Sequence, residues 1–124
     1  MAGAGGRPPG RARRSMANFE ARTTAVGGRI TVSLAGECDL SAREHLTAVL
    51  LDAVHRAQAV FVDLAQLTFL DSSGLHSLVT AHHAAKQTGG HVYVINAAGP
   101  VASVLEITGL DTLLRAPAEE RRHV

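Results

Sequence analysis

The chain has 124 residues, 46% of them hydrophobic but only 3% aromatic, and a formal net charge of +1. One domain with a real core fits that length, and with no Trp the core must be built from Val, Leu, Ile and Ala, as suits helices on a sheet. Arg7, Arg11, Arg13 and Arg14 stand in residues 1–15 without an acid, so setting them aside leaves eight basic against eleven acidic residues and argues against a basic nucleic-acid face.

Residues 1–16 mix Gly, Pro and Arg with little to bury and read as a disordered basic tail. Four arginines there give only weak, salt-screened attraction to a nucleic acid or an acidic partner, and translation from Met16 would remove most of the stretch. The folded domain is expected over residues 17–116, followed by a charged tail at 117–124. Asn18–Val26 and Arg29–Ala35 suit strands joined by a hairpin turn at Gly27 and Gly28. In the second, Ile30, Val32 and Leu34 alternate with Thr31 and Ser33, so one face points inward. Gly36 breaks this strand, and Glu37, Cys38 and Asp39 make an acidic loop.

Ser41 and Glu44 have the spacing of a capping box, in which each side chain satisfies a backbone N–H near the other. Leu46, Val49, Leu50, Ala53, Val54 and Ala57 then recur at helical spacing. Ala59–Leu64 is a short apolar run that reads as a buried strand. Leu75, Leu78, Val79, His82 and Ala85 form the next amphipathic stripe, stopped by Gly89 and Gly90. His91–Asn96 is another buried strand. Pro100 opens a third helix carrying Val101, Val104 and Leu105 inward, and Gly109 suits the left-handed residue that closes it. Thr112, Leu113 and Leu114 are read as a short last strand. The expected class is α/β: a single domain with a mixed, mostly parallel sheet, an N-terminal β-hairpin and about three helices, in the order β-β-α-β-α-β-α-β. With all helices on one face, the other must be covered by a partner, by the N-terminal segment, or by strand residues that are not strongly apolar.

Asp71, Ser72 and Ser73 fall where a strand ends and a helix begins. Their side-chain oxygens can accept from the free N–H groups of the first turn, and the positive end of the helix dipole tolerates a phosphate there. Asp71 alone could cap, so two further hydroxyls exceed what capping needs. The reading is that Ser72 is a phosphoacceptor whose modification switches binding of a partner. A serine hydrolase would need a base and an orienting group. His76 lies four residues on, but no G-x-S-x-G elbow and no third member accompany it, so no catalytic role is assigned. Asp39 is either a surface carboxylate or a neighbour of this motif, since loops after parallel strands gather at their carboxyl ends. The histidines give no convergent set of three, and neither a P-loop nor a dinucleotide fingerprint is present, so no metal or cofactor is expected. Cys38 cannot form an internal disulfide, no apolar run is long enough to cross a bilayer, and no apolar block follows the N-terminal arginines as in a secretory signal. A cytoplasmic protein that touches neither membrane nor nucleic acid is expected.

Leu70–Leu75 with its D-S-S-G core, Gly36-Glu37-Cys38-Asp39, the Gly89-Gly90 turn and Leu105–Leu110 occur in an order that resembles an anti-sigma factor antagonist (anti-anti-sigma factor) of the STAS domain family, over roughly residues 18–115. That resemblance implies a compact sheet with helices on one side. It implies as partner an anti-sigma factor that is itself an ATP-binding serine kinase, and a phosphatase that resets the switch. It makes Ser72 the phosphorylated residue, with Asp39 near it. The implied partner-binding set is Asp39, Asp71, Ser72, Ser73, Gly74, Leu75 and His76. The chain departs from the family at His76, where a small residue is common, and at Cys38, where an aliphatic one is. Within the same fold, the alternative is a STAS subunit of a lipid-transport or sensory complex that binds without phosphorylation.

Overall fold

Nine of the regular elements in the computed structural model share one sheet or pack on it, and they lie within residues 13–16 and 18–117, the residues that the structure describes. The strands are β1 (Arg13–Met16), β2 (Phe19–Val26), β3 (Arg29–Cys38), β4 (Ala59–Leu70) and β5 (His91–Ile95). The helices are α1 (Arg43–Arg56), α2 (Ser72–Gln87), α3 (Gly99–Thr108) and the single turn α4 (Leu110–Leu113), with a 3-10 turn at Leu40–Ala42 before α1. The sheet order is β1-β2-β3-β4-β5. β1, β2 and β3 run antiparallel as hairpins, whereas β3, β4 and β5 are parallel and joined through α1 and α2. The expected α/β class with a mixed sheet is what forms.

One core lies between the helices and one face of the sheet. Ile30, Val32 and Leu34 of β3 and Val60, Val62 and Leu64 of β4 alternate into it, meeting Leu46 and Leu50 of α1, Leu78 and Ala81 of α2, and Val101 and Leu105 of α3. Each fully buried Leu or Val contributes about 1.5–3 kcal/mol relative to exposure. The opposite face is covered as the composition of its strands allows: Thr31, Ser33 and Asp63 are half-buried there. A small second cluster joins Phe61, Ile95 and Ala116, with Tyr93 against Phe61 and the Arg29 guanidinium 5.2 Å from the Phe61 ring centre.

Five local expectations are corrected. β3 runs on through Gly36, at φ 92°, to Cys38 where a break at Gly36 and an acidic loop are expected, because its parallel ladder with β4 continues past the register slip, and only Asp39 is left in the loop. Arg13–Met16 is an edge strand where a tail was expected, because backbone pairing with β2 asks nothing apolar of the side chains; the rest of that tail and residues 118–124 lie outside the described residues. The Ser41–Glu44 capping box does not form, since Asp39 caps the 3-10 turn instead and α1 starts from Ala42 without a side-chain cap. β4 runs six residues beyond Leu64: its register with β3 slips between Ser33 and Ala35 and again between Gly36 and Glu37, so the inward residues become Leu64, Leu67 and Leu70. That three-residue spacing hides a strand from a reading of period two. Finally, the last strand shrinks to a single parallel bridge between Arg115 and Val94. Gly109, at φ 79°, closes α3, and Leu110 then buries itself at the start of α4.

Candidate functional site

β3 and β4 end side by side. Cys38 is in register with Leu70, and the Asp71 backbone N–H donates to the Cys38 carbonyl at 3.2 Å. Each strand is followed by an aspartate in nearly the same extended conformation, Asp39 at φ −117°, ψ −168° and Asp71 at φ −108°, ψ −171°. Each aspartate caps the helical turn that it opens. Asp39 Oδ1 accepts from the Ser41 backbone N–H at 3.0 Å and from the Ser41 hydroxyl at 2.6 Å, and these bonds hold its carboxyl below the usual carboxylate range. Asp71 Oδ1 accepts from the backbone N–H groups of Ser73 at 2.9 Å and Gly74 at 3.4 Å. The parallel register thus brings the two carboxylates to one rim of the sheet.

Asp71 takes the whole capping duty of α2, so Ser72 is spare. Its side chain is exposed at the first position of the helix, and its hydroxyl has no hydrogen-bond partner among the described residues. Ser73 is half-buried. Gly74 is buried: a Cβ there would stand 2.3 Å from Leu70 Cδ1 and 2.8 Å from Cys38 Sγ, so this residue serves the close seating of α2 on the strand ends. Leu75 is half-buried against the core, and His76 is exposed one turn from Ser72 without a hydrogen bond to it. Cys38 is buried below the rim. Burial first, then the Asp71 and Asp39 charges, push its thiol up to about 12. The thiol thus stays protonated at neutral and mildly alkaline pH. A disulfide exchange reagent should therefore leave Cys38 unmodified in the folded protein and modify it within minutes in urea. Equal rates in both states would refute the buried, protonated thiol.

Ser77 escaped the sequence reading. It is fully buried, and its hydroxyl lies 2.7 Å from the Thr47 hydroxyl of α1, 3.3 Å from the Arg43 carbonyl and 3.4 Å from the Ser73 carbonyl. It ties the first turn of α2 to α1. The available signal was its position: Gly74, Ser77, Leu78, Ala81 and Ala85 form the buried stripe of α2, and Ser77 is the polar residue in it.

The family model described as "Mlab, STAS domain" matches residues 21–115. The chain belongs to the STAS domain family. A curated relative, the anti-sigma F factor antagonist of Paenibacillus polymyxa, is 31% identical over 85 residues, which is 67% of this chain and 73% of that protein. The structure of the anti-sigma factor antagonist SpoIIAA in its unphosphorylated form superposes with a TM-score of 0.70 at 23% identity, covering 82% of this chain and 91% of that one. An anti-sigma factor antagonist from Mycobacterium paratuberculosis gives a TM-score of 0.67 at 25% identity, covering 82% and 89%. Within the STAS family the chain is thus similar to antagonists of anti-sigma factors. The matched span begins inside β2 and ends at the bridge to β5, so it contains both aspartate turns and all of α2.

Proposed function

We propose that this STAS domain is an anti-sigma factor antagonist that binds an anti-sigma factor through the rim around Ser72, frees a sigma factor, and is switched off when Ser72 is phosphorylated. The observation that carries the reading is the spare hydroxyl: Ser72 is exposed at a helix N-terminus already capped by Asp71. A phosphoacceptor needs little more, because the kinase supplies base, metal and nucleotide. The partner is an anti-sigma factor that is itself an ATP-dependent serine kinase, and a phosphatase restores the hydroxyl. Asp39, Asp71, Ser72, Ser73 and His76 are the docking residues of the set, with Gly74 and Leu75 holding α2 in place beneath them. The folded domain corresponds to residues 17–116 with β1 added at its edge, and it works in the cytoplasm. No helix of the described residues is long and apolar enough to cross a membrane.

A phosphate adds about −1.5 to −2 charges at the rim. The dipole of α2 offsets that by only about 0.3–1 kcal/mol, while the Asp39 and Asp71 carboxylates on the same rim repel it, as does any carboxylate of the partner. The fold need not change for the partner to leave. Intact mass of the full chain after incubation with host lysate and ATP tests the reading. One added phosphate on wild type, absent from Ser72→Ala, is expected. A second reading within the STAS family is a subunit that binds its partner constitutively, in a lipid-transport or sensory assembly. Wild type that stays unmodified under every condition would favour that one.

A further inference from the structure

Five large hydrophobic side chains are exposed among the described residues, and two of them flank the ends of β3 and β4 next to Ser72: Leu40, 67% exposed, in the turn after β3, and Phe69, 46% exposed, on the outward face of the sheet that it shares with Glu37. Leu40 directly follows Asp39 in the 3-10 turn, and Phe69 is three residues before Ser72 and paired in register with Glu37. Neither is exposed by accident of a frayed end. The second register slip of β4 turns Phe69 out while Leu67 and Leu70 turn in, and Asp39 holds the turn bearing Leu40 through its two bonds to Ser41. Exposed apolar side chains set among charged neighbours at one end of the sheet are the composition of an interface with apolar anchors and a polar rim. The charges around this pair are mostly of one sign: Glu37, Asp39, Glu44 and Asp71, with Arg43 the basic residue among them.

We infer that Leu40 and Phe69 are the apolar anchors of the surface that holds the anti-sigma factor, whose matching face presents an apolar patch ringed by Arg or Lys. The inference rests on the proposed function and specifies its contacts. It also gives the switch its leverage. Seating Leu40 and Phe69 against a partner expels water from the rim, and a phosphate formed three residues from Phe69 would then lose hydration as well as meet the carboxylates. The other exposed apolar residues, Val26 at the hairpin turn and Ile107 and Leu113 on α3 and α4, are on elements away from the two aspartate turns.

The test uses the full-length chain and the purified serine-kinase anti-sigma factors of its own host, each assayed with ATP for Ser72 phosphorylation and for direct binding. Leu40→Ser and Phe69→Ser should each raise KM and Kd at least about tenfold with kcat unchanged, while Ile107→Ser stays within about twofold of wild type. Urea unfolding midpoints equal to wild type would show that the losses are not losses of fold. If wild type is phosphorylated on Ser72 and both variants match its KM and Kd, the anchors are refuted and the switch stands. If none of those kinases binds or modifies wild type, the proposed function falls and the anchors with it.

Discussion

Ser72→Asp should weaken capture of the anti-sigma factor about a hundredfold, which is about 2.8 kcal/mol, while leaving the stability of the domain unchanged or slightly raised. The two halves of that expectation have separate causes. An aspartate in the first turn of α2 sits in the positive end of the helix dipole, which favours it by about 0.3–1 kcal/mol, and the side chain at this position is exposed, so nothing is overpacked. For binding, the new carboxylate joins Asp39 and Asp71 on the rim and must be desolvated or repelled when a partner closes over it. Ser72→Ala removes a hydroxyl that has no partner among the described residues, and should bind within about threefold of wild type without responding to ATP. Isothermal titration with the purified anti-sigma factor, alongside thermal unfolding, separates the terms. Ser72→Asp binding as tightly as wild type would sink the charge switch.

The legible parts of this chain were those in which a local rule and the tertiary fold agree. Asp71, Ser72 and Ser73 before the Leu75–Ala85 stripe announced the start of α2, and Gly109 announced the end of α3, because capping is settled within a few residues of chain. The parallel pairing that ends β3 and β4 side by side was legible as a consequence of strands alternating with helices, whereas whether Asp39 joins the motif was not. What escaped depends on contacts between distant segments. Ser41 and Glu44 have the letters of a capping box, but the end of β3 delivers Asp39 to the same turn first. β4 past Leu64 loses alternation through two slips against β3, fastened in part by the Thr68 hydroxyl donating to the Gly36 carbonyl at 3.0 Å. Ser77 looked like an ordinary helical serine because its partners, Thr47 and the Arg43 carbonyl, lie on another helix about thirty residues away.

Gly36→Ala should destabilise the domain by about 3 kcal/mol or more, and it separates the fold from the site. Gly36 has φ 92°, a conformation that costs a residue with a Cβ about 1–2 kcal/mol. Its Cβ would also lie 1.7 Å from the Asn18 carbonyl oxygen, a backbone atom that already accepts from the Glu37 N–H at 2.9 Å and has no rotamer to escape into. β2 must then move off β3, adding about 1–3 kcal/mol of strain. Gly74→Ala meets a different obstacle. The nearest atoms are the ends of two side chains, Leu70 Cδ1 and Cys38 Sγ, and the backbone there is helical, where Ala is the better former by about 1 kcal/mol. Its net cost in stability should be about 1–2 kcal/mol, but the accommodation tilts the first turn of α2 and carries Ser72 with it. Urea unfolding and anti-sigma factor binding measured on both variants should therefore rank them oppositely, Gly36→Ala losing more stability and Gly74→Ala losing more affinity per unit of stability lost. If the two track each other, the rim around Ser72 is not held by the seating of Gly74, and α2 is positioned instead by its tie to α1 through Ser77.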